Sequence, residues 1–207
     1  MTGTPLTGNI IVDKCLLWLA DKISILIDTP WRKRWTGSQW DDILIPAFAL
    51  GTGASAPDPV TLTGSLNVQG FDGGSTTEQL YGAFEFLHGW REGSTIYIHV
   101  HWCPTTTGTG TVKWKLEYSW ANVHEAFPAS TTITSTDTAD GTDNFHKIAG
   151  FPSITDTGKR IGSVLNFRLF RVPTEDTYAG DAGLLSIGCH IDHDSVGSDQ
   201  LYKKTYG

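Results

Sequence analysis

Two histidines set one residue apart, His99 and His101, come nearest to a chemical site in this sequence of 207 residues. Alternate residues of a β-strand project from one face, so a strand through residues 95–103 places both imidazoles side by side. Two neutral imidazoles can converge on a divalent metal ion if further ligands arrive from elsewhere. His190 and His193, with Asp192 between them, are the available donors late in the chain. The same pair can instead hydrogen-bond within a polar strand face, or lie where subunits meet.

The spacing Gly93-x5-His99-x-His101 resembles the first motif of the cupin family, jelly rolls in which two histidines of one strand bind a metal. That resemblance implies a glutamate four or five residues after the second histidine, where Thr105 and Thr106 stand instead. It also implies a second motif with another histidine in a Gly/Pro framework, which no segment supplies. His99 and His101 therefore remain minor metal candidates beside the reading as a polar face or subunit contact, and no cofactor is expected.

Other reaction signatures are missing. The sequence holds no GxSxG elbow, HExxH pair, Walker A loop or Rossmann glycine pattern. Glu85 and Glu117 are isolated carboxylates, and Lys113 and Lys115 precede Glu117, so no acid/base pair is evident. The acidic loop with Glu175, Asp176 and Asp181 lacks calcium-loop spacing and reads as turn chemistry. A binding role without catalysis is the expectation.

Aromatic residues suggest where binding would occur. Trp102, Trp114 and Trp120 fall on the apolar side of alternating runs, where burial contributes about 2–3 kcal/mol each. Trp31, Trp35, Trp40 and Trp90 sit in less regular stretches and are candidates for exposed contacts. Trp31-Arg32-Lys33-Arg34-Trp35 is the one dense basic cluster. It reads either as an anchor onto an acidic protein surface or as a solvated loop over two tucked tryptophans.

The elements that position these residues are strands. Val112, Trp114, Leu116, Tyr118 and Trp120 alternate with Lys113, Lys115, Glu117 and Ser119, after a Thr- and Gly-rich turn at 104–110. Residues 95–121 thus predict a hairpin. Further strands are expected at 60–68 with Gly64 as a bulge, and at 81–86, 130–136, 144–149, 164–172 and 184–192. The fold class is all-β, a jelly-roll-like antiparallel β-sandwich with an irregular N-terminal arm. Residues 1–59 are expected to be arm and strap, broken by Pro30, Pro46, Pro57 and Pro59; 60–194 form the sandwich, and 195–207 a polar tail with Tyr202 and Tyr206.

Composition agrees. Apolar residues make up 39% and charged residues only 18%, while 23 glycines supply turns. The net charge of −7 argues against duplex nucleic acid as partner. Cys15, Cys103 and Cys189 are odd in number and widely spaced, which predicts free thiols in a reducing compartment. Residues 1–9 carry no basic residue, and Asp13, Lys14, Asp21 and Lys22 interrupt the apolar stretch 10–27; neither a secretory leader nor a membrane span is expected.

A family likeness emerges around the expected hairpin. The runs Phe86-Leu87-His88-Gly89-Trp90-Arg91-Glu92-Gly93, Ile96-Tyr97-Ile98-His99-Val100-His101-Trp102 and Trp114-Lys115-Leu116-Glu117-Tyr118-Ser119-Trp120-Ala121 resemble a group of tailed-bacteriophage virion proteins. Ala20-Asp21-Lys22 to Asp28-Thr29, then Trp40-Asp41-Asp42-Ile43, resembles the same group's N-terminal region. The resemblance implies a virion component made in the host cytoplasm, of the jelly-roll cement or decoration type, that clamps neighbouring subunits of the major capsid protein. A dimer or trimer would follow, with no membrane partner. Trp31–Trp35 would then touch the capsid, and Tyr97, His99, His101, Tyr202 and Tyr206 other copies of the chain. A tail, neck or receptor-binding component, including one that binds carbohydrate, is the alternative.

Overall fold

The computed structural model describes residues 39–204; the expected arm, the basic cluster at 31–35, Cys15 and Tyr206 lie outside them. The described strands are β1 (Gln39–Pro46), β2 (Gly51–Thr52), β3 (Asp58–Thr63), β4 (Leu66–Phe71), β5 (Glu78–Glu85) and β6 (Tyr97–Pro104). There follow β7 (Thr109–Ala121), β8 (Thr131–Asp140), β9 (Lys147–Gly150), β10 (Val164–Arg171) and β11 (Ala182–His193). Short 3-10 turns at Ala47–Ala49 and Pro173–Glu175 complete the regular structure.

Strands β4 to β11 pair from the outside inwards: β4 with β11, β5 with β10, β6 with β9, and β7 with β8, all antiparallel. This is one long hairpin ribbon, rolled so that its two halves face each other. The first sheet runs β3-β4-β11-β6-β9, with β1 also on β11, and the second β2-β5-β10-β7-β8. That order is a jelly roll, as the sequence suggested.

Strict alternation makes the core. Ile98, Val100 and Trp102 of β6 and Val112, Trp114, Leu116 and Trp120 of β7 are all buried. One end of the sandwich holds Phe71, Trp102 and Trp114 in edge-to-face contact. Another cluster joins Phe86, Trp90 and Trp120, with Phe86 and Trp120 stacked at 4.5 Å. Two indoles also satisfy their N–H groups, Trp102 on Asp137 (2.9 Å) and Trp120 on Ser163 (3.0 Å).

Several expectations change. Residues 95–121 are not a hairpin, because β6 and β7 belong to opposite sheets. Their one-sided apolar faces meet across the core, with Trp102 and Trp114 centroids 6.2 Å apart, and each strand finds its ladder partners elsewhere. Gly64 is not a bulge within one strand; with φ at +57° it makes the turn between β3 and β4. Residues 39–59 are more than a strap, since β1 pairs with β11, β2 with β5 and β3 with β4. Trp90 is fully buried rather than exposed.

The loop between β10 and β11 is fixed from inside. Arg171 is wholly buried, and its guanidinium donates to Asp176 Oδ2 (2.8 Å), Phe71 O (3.0 Å), Gly180 O (2.8 Å) and Tyr178 O. The tail is tied down in a similar way. Lys204 donates to Trp90 O (2.6 Å), Ser195 Oγ (3.1 Å) and Asp194.

Candidate functional site

Burial of the inner residues dictates what the first sheet shows to solvent. With Ile98, Val100 and Trp102 inward, β6 must turn Tyr97, His99 and His101 outward. On β11 a register shift between Leu184 and Ser186 resets the phase, so Ile187, Cys189 and Ile191 enter the core while Gly188 and His190 face out. On β1, Ile43 and Ile45 pack against the core, which leaves Trp40, Asp42 and Leu44 on the outer side.

The result is one sheet face that carries two groups of rings in a strip, Trp40 with Tyr97 and His190, and His99 with His101 and His146. Trp40 stacks on His190 with centroids 5.0 Å apart and planes 5° from parallel, and tilts against Tyr97 at 5.7 Å. His190 Nδ1 lies 2.9 Å from Asp42 Oδ1. His99 rests over Gly188, where a Cβ would come within 2.6 Å of its Nε2, so only glycine leaves that ring its place. His99 and His101 follow at 5.1 Å, then His146, whose Nε2 is 2.8 Å from His101 Nδ1. Trp40 and Tyr97 remain 45% and 44% exposed, so the strip is an accessible surface.

Burial, followed by the neighbouring His99 and His146, holds the His101 pKa below its ordinary value, against the pull of Asp42. His101 is therefore an uncharged imidazole at neutral pH. Among the described residues, no three His, Cys, Asp or Glu side chains are arranged to hold a metal. The late histidines do not complete a cupin-like set: His190 is engaged by Asp42 and Trp40, and His193 lies beside Gly89 where β11 bridges to Trp90. Tyr202 meets His124 edge-on at 5.4 Å and is half-exposed.

The second sheet carries a different feature, an open groove of about 400 Å³. Leu165, Phe167, Leu169 and Arg171 of β10 point inward, which turns Asn166, Arg168 and Phe170 outward. Cross-strand register sets Tyr81, Arg168 and Glu117 in one row and Ala83, Asn166 and Ser119 in the next. Arg168 bonds Gln79 (2.9 Å) and Glu117 (2.8 Å), with its guanidinium carbon 4.2 Å from the Phe170 centroid. Ser130 donates to Glu117 at 2.7 Å; that bond, then Arg168, keeps the carboxyl below its ordinary pKa.

No protein-family model and no curated protein matches the sequence. Solved structures to which the chain shows some similarity include the CBM36-1 domain of a multidomain xylanase from the hindgut metagenome of Trinervitermes trinervoides. It is 11% identical with a TM-score of 0.42, covering 72% of this chain and 96% of that one. A CBM35 from Cellvibrio japonicus gives 10% identity and 0.39, over 72% and 92% of the two chains. A CBM61 in complex with β-1,4-galactotriose gives 12% and 0.28, over 78% and 90%.

The structure thus groups Tyr97, His99 and His101 as expected, and adds Trp40, His190 and His146. His146 falls within the strand expected at 144–149, but β9 begins only at Lys147 and leaves it in the preceding loop, and the β6–β9 pairing reveals it beside His101. The groove residues were legible only as the polar half of each alternation. Nothing in their spacing along the chain shows that Tyr81, Asn166 and Glu117 lie in adjoining rows.

Proposed function

We propose that this chain is a non-catalytic structural component of a tailed-phage virion, a cement or decoration protein that binds neighbouring capsid subunits and other copies of itself. The observation that carries the reading is the strip from Trp40 through Tyr97, His190, His99 and His101 to His146. Rigid, partly exposed rings on a sheet face suit burial against another protein, because they offer large contact area at little conformational cost. The resemblance of the segments around Trp90, His101 and Trp120 to virion proteins supplies the setting.

Light scattering on the purified protein, together with rebinding to capsid shells prepared without it, tests this. A dimer or trimer that rebinds such shells is expected. A strict monomer with no affinity for them overturns the proposal.

A receptor- or carbohydrate-binding tail component is the second reading, and the polar groove beside Tyr81 favours it. Locating the protein in an assembled particle separates the two: a position on the shell supports the first, a position at the tail tip the second.

A further inference from the structure

We propose that the groove across β5, β10 and β7 is a binding site for neutral oligosaccharide, with Tyr81 as the stacking platform and Asn166, Arg168, Glu117 and Ser119 as the hydroxyl-reading groups. The proposal deepens the carbohydrate reading and rests on it; it does not need the virion role.

Ligand class follows from charge and shape. Arg168 and Glu117 form an ion pair at 2.8 Å, so the groove offers polar groups without net charge. A phosphate or sulfate ligand would need an uncompensated cation, which the pair denies. An apolar ligand would desolvate the guanidinium, carboxylate, carboxamide and hydroxyl groups of the lining and return no hydrogen bond to them. A neutral molecule dense in hydroxyls satisfies both conditions.

Geometry supports the same class. Tyr81 is 42% exposed, and its ring is fixed against Gly53, where a Cβ would come within 2.8 Å of its Cε2. Its accessible ring face suits the C–H face of a pyranose. Planar polar groups lie in the same row as Tyr81 (Arg168 and Glu117) and in the next (Asn166), and the first two are held in place. Arg168 is clamped by Gln79, Glu117 and the Phe170 ring, and Glu117 by Ser130. Groups held beforehand lose little entropy on binding.

Calorimetry of the full chain against neutral di- to tetrasaccharides of glucose, galactose, mannose and N-acetylglucosamine tests the site. At least one series should bind, with Tyr81→Ala and Asn166→Ala each weakening it by about tenfold or more. Tyr81→Phe, which keeps the ring, should stay within about threefold of the parent, and serves as the control should Tyr81→Ala fold poorly. Binding that survives Tyr81→Ala and Asn166→Ala but is lost in Trp40→Ala overturns the groove while keeping the carbohydrate reading. No binding by any of these sugars overturns the groove and removes the carbohydrate reading as well.

Discussion

His101 Nδ1 and His146 Nε2 stand 2.8 Å apart, a distance at which one nitrogen must carry the proton and the other accept it. A second proton would leave two donors facing each other, with the His99 ring close by at a separation of 5.1 Å. Asp42 is the opposing charge in reach of His101.

The sign of the pH effect follows. In the folded chain His101 sits below its ordinary pKa of 6.5, so the unfolded chain binds more protons as pH falls through that value. Folding stability contributed by neutral His101 is present above pH 6.5 and is lost on acidification. Thermal unfolding at pH 7 and pH 5 should show a lower Tm at pH 5, and His101→Gln should narrow the difference. An unchanged difference in that variant would refute the assignment to His101.

The Arg171–Asp176 pair predicts a large stability effect. Both side chains are essentially buried, and Arg171 also binds the carbonyls of Tyr178 and Gly180 in the loop before β11 and of Phe71 at the end of β4. Asp176→Ala leaves the guanidinium charge without its partner and should cost about 3–5 kcal/mol in urea unfolding. Replacing both, as Arg171→Met with Asp176→Leu, should cost less than the sum of the single changes, because no uncompensated charge remains. Additive effects would show that the carbonyl contacts, and not the ion pair, hold the loop.

Thiol chemistry should be silent in the folded chain. Burial, helped by Asp143, raises the Cys103 pKa to about 11, and burial raises that of Cys189 further still. At pH 8 the Cys103 thiolate is therefore on the order of one part in a thousand. In a Cys15→Ser background, Ellman's reagent should find essentially no thiol until denaturant is added, and then two. Fast reaction of either thiol under native conditions would contradict their burial.

Much of the fold was legible because β6, β7, β10 and the end of β11 alternate with a period of two, and alternation decides which residues face inward. Pairing was not legible. A run such as 95–121 looks like a hairpin locally, yet Trp102 and Trp114 gain more by meeting across the core than β6 and β7 would by lying side by side. Tyr97, His99 and His101 were readable as one face for the same reason that their neighbours were readable as core. His146 and the groove rows were not, because they depend on registers that join segments far apart in sequence. The histidine strip also needed the shift at Leu184/Ser186 on β11, which plain alternation does not forecast.

Trp40 separates a contact role from a structural one. It stands at the exposed end of the strip, stacked on His190, with nearly half its surface open. Truncation to alanine removes one exposed stack, so the fold should lose no more than about 1 kcal/mol. If the strip is where subunits meet, the same change removes a ring that the partner would bury, and such anchors cost about 2 kcal/mol or more. Trp40→Ala should then weaken self-association or shell binding by roughly thirtyfold while Tm moves little. Sedimentation equilibrium and a shell-binding titration measure both quantities on one preparation. A variant that assembles like the parent would remove Trp40 from the contact and, with it, the main support for this face as the assembly surface.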